Sequence, residues 1–339
     1  MSSLRHPVDL DRIVDQDLGR FVPGFLNSLP FRSTLVSPRL RRWVYQALAG
    51  STPDDGQSFE YFATAPGAAC EVFRARCREV GINDTKPWKD AKVLISLSFD
   101  IDSAWSIETG TMAKTGEMLS SLSMPATFFV VGDDYKHDHG LYRAMREMGH
   151  EIGLHGLHHN YRDPFLSSEV ISTRLDRLSD FIETHGIQGY RSPCYLKSHQ
   201  LMEALVGRFA YDSSFRSAAK SVWTSDGVEG IGLCVPFAYR GLHCLPCTGP
   251  DDLEIRDVVE GRDGIVNTLF RSALSTADKA GVHTQVLHLE RHSGSGDVVS
   301  ILKEMTDRLS CEVDFRFVTC AEAVREARQL GLLLGDSAP

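Results

Sequence analysis

Asp100 and Asp102 stand two residues apart where the apolar run Lys92–Phe99 (KVLISLSF) ends. In an extended strand that spacing turns both carboxylates to one side. A second segment, Gly149-His-Glu-Ile-Gly-Leu-His-Gly-Leu-His-His-Asn160, is rich in histidine. His155 and His159 are four apart, so they share a face on a helical turn and also in an extended chain. His155 and His158 share one only on a helical turn, which makes 155/159 the better pair of metal ligands. Two neutral imidazoles and one carboxylate leave open positions on a divalent ion. Alone, a strand-end Asp more simply caps a turn, and a histidine-rich loop more simply faces solvent. Together, in one series of α/β units, they favour a site.

The elements around these residues alternate. Strand candidates are Lys92–Phe99, Ala126–Val131, His150–Leu154, Gly189–Arg191, Leu233–Phe237, His243–Thr248, Val282–Leu289 and Phe315–Thr319. Helical spacing runs through Ser167–His185 (Val170, Leu175, Leu178, Ile182), closed by Gly186, and recurs near 198–207, 263–280, 296–309 and 320–330. Such alternation predicts a parallel sheet, open or closed into a barrel, with catalytic groups at the carboxyl ends of its strands. Residues 1–90 read differently. Ser51–Ser58 looks like a loop. Ser37-Pro38 starts a helix whose apolar face is Leu40, Trp43, Val44 and Leu48. Arg32, Arg39, Arg41 and Arg42 give this stretch a basic face. It packs on the main domain or, as a weaker alternative, touches an anionic membrane.

Composition sets outer limits. The 339 residues carry a net charge of −9 and are 42% hydrophobic, which allows a full core and argues against a general nucleic-acid binder. No run approaches the ~18 apolar residues of a membrane span. The first residues lack the apolar core of a signal peptide, so a cytoplasmic protein is expected. Eight scattered cysteines read as buried thiols, Cys244 and Cys247 included despite their Cys-x-x-Cys spacing. Trp105, just after the acid pair, either stacks on a ligand or packs.

The sequence resembles the polysaccharide deacetylase family, also called the NodB-homology or carbohydrate esterase family 4 group. Five motifs occur in order over about 200 residues: Phe99-Asp100-Ile101-Asp102, His155-Gly-Leu-His-His159, Arg191-Ser-Pro193, Asp212-Ser-Ser-Phe215 and Val286-Leu-His288. Two positions depart from the usual pattern. Gly156 replaces a hydroxyl residue, and Cys194 replaces an aromatic or small one.

The resemblance implies a distorted (β/α) barrel over residues 91–333, with 1–90 as an N-terminal extension and 334–339 as a tail. It implies hydrolysis of an N-acyl bond with a divalent metal, usually zinc, with Co2+, Ni2+, Fe2+ or Mn2+ as other options. Asp102, His155 and His159 would hold the ion, and Asp100 would be the base, paired with Arg191. His288 would be the acid, oriented by Asp212. The Cys194 amide would serve the oxyanion, with Pro193, Tyr195 and Trp105 lining the substrate pocket. The expected substrate is a small or lipid-linked N-acetyl or N-formyl amino sugar or a glycan. A cyclic amidase of the allantoinase type and an inactive carbohydrate-binding relative are the alternatives. The residues suit a non-haem iron oxygenase or a two-carboxylate glycosidase less well, because of the strand–helix alternation and the histidine pair respectively. The oligomeric state is not legible in the sequence.

Overall fold

The computed structural model describes residues 9–21, 67–220, 228–259, 261–292 and 294–335. The basic helix expected after Pro38, with Arg32, Arg39, Arg41 and Arg42, lies outside the described residues, as does most of the 334–339 tail.

In chain order the main elements are α1 (Leu10–Arg20), α2 (Gly67–Glu79), β1 (Val93–Ile101), α3 (Trp105–Glu108), α4 (Thr111–Ser121), β2 (Ala126–Val130), α5 (His139–Glu147) and β3 (Glu151–Leu154). There follow α6 (Ser168–Asp176), α7 (Ser179–His185), β4 (Gly189–Tyr190), α8 (His199–Leu205), β5 (Tyr211–Asp212), and a short pair, β6 (Ala219–Lys220) and β7 (Val228–Glu229). The last are β8 (Phe237–Tyr239), β9 (Leu242–Cys244), α9 (Asp252–Val258), α10 (Gly261–Asp278), β10 (Val282–Leu287), α11 (Ser295–Leu309), β11 (Phe315–Phe317) and α12 (Cys320–Gln329).

The main sheet runs β10-β1-β2-β3-β4-β5-β9-β8, with β11 beside the start of β1. All its pairings are parallel except β8–β9. It curls into a half-barrel. Backbone of the segment after β9 reaches across the remaining gap, from Cys247 N–H to Phe215 O (2.8 Å) on one side and from Gly249 N–H to Thr284 O (3.1 Å) on the other. Every residue of β1 is buried, as expected of a strand covered on both faces. Because the strands run parallel, Asp100, His155, Arg191 and His288 all emerge at the same end of the sheet.

Two expected elements differ. The 167–185 run is two helices, interrupted at Arg177-Leu178; Ser167 caps the first, and Gly186 (φ 56°) ends the second as predicted. The Leu233–Phe237 run enters the sheet only at Phe237. Pro236 has no N–H for a ladder, and Gly230 and Gly232 hold positive φ just before it.

Val14 and Leu18 of α1 and Phe73 and Cys77 of α2 are buried in the same core as β1 and β2. Strand β10 carries an unusual polar core residue, His283, fully buried and bonded through Nδ1 to Thr276 Oγ1 at 3.2 Å. Burial pushes its imidazole down to about 4, opposed by the Gln285 side chain, whose oxygen favours the protonated ring. A depressed histidine contributes stability above its unfolded pKa near 6.5 and loses it as pH falls through 4. That difference is about 3 kcal/mol. Chemical denaturation of wild type and His283→Gln between pH 7 and 4 is therefore expected to show a steeper acid loss in wild type. Parallel pH profiles would contradict this.

Candidate active site

Asp100 is buried at the end of β1, where its Oδ1 accepts a hydrogen bond from Arg191 Nη1 at 2.8 Å. Arg191 is itself fully buried. It also donates to Ser98 Oγ (2.9 Å), Ser213 O (3.1 Å) and Ser213 Oγ (3.0 Å), and its guanidinium lies 4.2 Å from the Phe129 ring centre. Four of the guanidinium's five N–H groups are thus engaged, which fixes the Asp100 carboxylate in place.

Two residues on, Asp102 faces the histidines. Its Oδ1 lies 3.4 Å from His155 Nε2 and 3.4 Å from His159 Nε2. These ligand atoms all fall within 4.8 Å of one another, the one such trio among the described residues. His155 Nδ1 sits 3.1 Å from Arg191 O, so this nitrogen carries the proton and Nε2 presents its lone pair. His158 turns the other way, to Asp134 at 2.8 Å. Asp102 Oδ1 is buried yet has no hydrogen-bond partner. Burial opposes its charge, but His159, His155 and His288 hold the carboxyl well below the usual range. An orphaned carboxylate oxygen facing two imidazole nitrogens fits a divalent cation.

The backbone around the trio explains the glycine. Gly156 has φ +72°, and a Cβ there would lie 2.9 Å from Pro193 Cδ. Gly156→Ser, which would restore the usual hydroxyl, is expected to cost about 1–3 kcal/mol through that φ and contact. Thermal denaturation should show a melting point lower by several degrees; an unchanged one would show that the turn relaxes.

His288 is buried at the end of β10, and its Nε2 lies 3.8 Å from Asp102 Oδ2. Its orienting carboxylate corrects the sequence reading. Asp252 Oδ1, not Asp212, meets Nδ1 at 2.6 Å, and Asp252 Oδ2 accepts from the His288 backbone N–H at 3.0 Å. His292 Nε2 adds a contact to the same carboxylate at 3.1 Å. Burial works against the charged ring, but Asp252 and then Asp102 and Asp100 hold the His288 imidazole well above its ordinary value.

Asp212 spends its oxygens on Ser214, accepting from the backbone N–H (2.9 Å) and Oγ (2.6 Å), and Ser214 Oγ accepts from Ser192 N–H (2.9 Å). Burial pushes its carboxyl up to about 6, despite those hydrogen bonds. The Asp-Ser-Ser stretch therefore frames the Arg191–Pro193 loop and leaves His288 alone.

That loop turns sharply. Cys194 (φ 52°) and Tyr195 (φ 57°) are consecutive left-handed residues without being glycine. The Cys194 side chain packs beside Tyr161, Phe165 and Leu196. Pro193 is buried against Gly156, and the Tyr195 ring lies under Arg216, 4.8 Å from its guanidinium carbon. Trp105 is exposed, at the start of α3. Cys244 and Cys247 are buried free thiols, and Cys247 Sγ donates to Ser213 O at 3.3 Å.

Two further residues were missed in the sequence. Asp252 follows the cap of α9, where Asp251 and Glu254 form a reciprocal capping box. The Asp-x-x-Glu spacing was legible, but its proximity to His288 was not. Arg216 is buried and holds Glu254 of that box with both terminal nitrogens. It therefore steadies the helix end that presents Asp252.

Residues 89–197 match the sequence profile described as polysaccharide deacetylase. No curated protein matches the chain. Among solved structures, one from Mycobacterium smegmatis assigned as a polysaccharide deacetylase is similar at TM-score 0.55 and 18% identity, over 74% of this chain and 95% of that one. A probable polysaccharide deacetylase from Pseudomonas aeruginosa PAO1 is similar at TM-score 0.51 and 13% identity, over 71% and 92%. At these identities the likeness is one of fold, and the fold agrees with the profile. Over residues 89–197 the chain is thus similar in sequence to the polysaccharide deacetylase family, and its fold is similar to that of solved structures assigned to it.

Proposed function

We propose that this protein removes an acyl group from the nitrogen of an amino sugar or a related glycan, using a divalent metal held by Asp102, His155 and His159. The observation that carries the reading is the placement of this trio between a carboxylate, Asp100, and a carboxylate-paired imidazole, His288. A metal of the zinc type bound there would lower the pKa of a coordinated water from about 16 toward about 7 and polarise the acyl carbonyl.

The chain's own groups do the rest. Asp100, held by Arg191, accepts the proton of the attacking water. His288, charged through Asp252, donates from Nε2 to the departing amine as the carbon–nitrogen bond breaks. The Cys194 N–H, placed by the left-handed turn, donates to the oxygen that gains charge. Trp105 offers a ring face to a sugar at the rim.

The test is release of acetate or formate from a panel of N-acyl amino sugars and chitooligosaccharides by zinc-loaded protein. Release that stops on chelation and returns with metal supports the reading. A loaded protein that frees no acid from any of them contradicts it.

A further inference from the structure

The turn at Cys194-Tyr195 needs an external support, and the support comes from outside the barrel. Two adjacent non-glycine residues at φ 52° and 57° hold a strained, sparsely populated backbone conformation. Tyr195 N–H to Ser192 O (3.0 Å) and Leu196 N–H to Pro193 O (3.1 Å) close the turn internally. From behind, Lys197 Nζ donates to Tyr195 O at 3.3 Å.

Lys197 is fully buried, an expensive position for an ammonium unless it is paired. It lies 3.4 Å from Asp17 and 3.6 Å from Glu229, and 4.3 Å above the Phe21 ring. Asp17 sits on α1 and Phe21 just after it. Asp17 is itself buried, and it anchors α1 by accepting from Gly230 N–H at 2.8 Å. Phe21 packs on Leu196, the residue that follows the turn. Helix α1 and the residue that follows it thus contribute the counter-charge and the apolar cover of the lysine that grips Tyr195 O.

We infer that Asp17 of α1 and Phe21 just after it are positioning residues, acting through Lys197 to hold the Cys194–Tyr195 turn and so to aim the Cys194 N–H into the site. Glu229 is a weaker substitute for Asp17. Burial pushes its carboxyl up to about 7, despite Lys197 and Arg216, so near neutral pH it is only partly charged.

The role assigned to the Cys194 amide rests on the deacylase reading, but the clamp can be tested without it. Amide hydrogen exchange of Tyr195 and Leu196 is the readout, measured on the full chain. Asp17→Asn keeps an acceptor for Gly230 and removes the charge facing Lys197. It is expected to speed exchange at Tyr195 and Leu196 about tenfold while the amides of β1–β3 hold. Phe21→Leu, which keeps the apolar cover and loses the ring face, should do the same to a smaller degree and serves if Asp17→Asn does not fold. Leu309→Ala, at the buried end of α11, is the control for general loss of stability and should not single out the turn.

Unchanged exchange at Tyr195 and Leu196 in both α1 variants overturns the inference, as does equal acceleration in Leu309→Ala. On a hydrolysed N-acetyl probe, Asp17→Asn should lower kcat about tenfold with KM within twofold, and a KM effect alone would contradict positioning. A wild-type protein inactive on every probe strikes the deacylase reading and leaves the exchange result to decide the clamp.

Discussion

Asp100→Asn is expected to lower kcat about 10³-fold while the protein still binds its metal. General-base catalysis contributes roughly 10²–10⁴-fold, and asparagine cannot take the water's proton. The metal trio does not include Asp100, whose Oδ2 lies 3.8 Å from His155 Nε2. The variant has a second cost. Arg191 is fully buried and would face a neutral group, and removing one partner of a buried pair destabilises by about 3–5 kcal/mol. Ser98 and Ser213 still fill three of its hydrogen bonds, which places the cost toward the lower end. Steady-state kinetics well below the melting temperature, with metal content measured in the same sample, separate the two effects. Activity within tenfold of wild type would remove Asp100 from the base role.

The second large effect separates two aspartates. Asp252→Asn is expected to cost about 10²-fold in kcat, because His288 loses the charge that holds its proton, and an amide keeps only one of the two acceptor oxygens that meet His288 and His292. Asp212→Asn should cost less than tenfold. Burial already pushes the Asp212 carboxyl up to about 6, so a neutral isostere resembles a form the site accepts readily. The direction for stability follows the same logic. A raised carboxyl contributes stability below its unfolded value near 3.8 and loses it as pH rises through 6, so Asp212→Asn should gain relative to wild type above pH 6. Equal kinetic losses in the two variants would return Asp212 to the acid's side.

Much of this site was readable because its residues stand at strand ends. Asp100, Asp102, His155, His159, Arg191 and His288 each lie within five residues of a β-strand's last position, and parallel strands gather those ends. Spacing alone also separated His159 from His158, which is drawn to Asp134 instead. Asp252 escaped because it follows irregular backbone between β9 and α9, where no periodicity fixes direction. Asp212 misled for the opposite reason. It lies on a proper strand end, but local bonds to Ser214 consume it, and short-range side-chain to backbone pairing is not visible in strand periodicity. The Asp17–Lys197 contact joins residues 180 positions apart through a buried charge, and α1 alone reads as an ordinary amphipathic helix.

The fold was legible where strands run for five residues or more, as in β1, β2 and β10. It was less so where one or two ladder bonds define a strand, as in β4, β5 and β8, since tertiary pairing sets those lengths. No described helix is long and apolar enough to cross a membrane.

The most direct measurement is metal stoichiometry by elemental mass spectrometry after dialysis against zinc. The account predicts about one ion per chain for wild type and for Asp252→Asn, and near none for Asp102→Ala and His155→Ala, with all four proteins folded by circular dichroism. Full metal content in Asp102→Ala and His155→Ala would place the ion elsewhere and contradict the account.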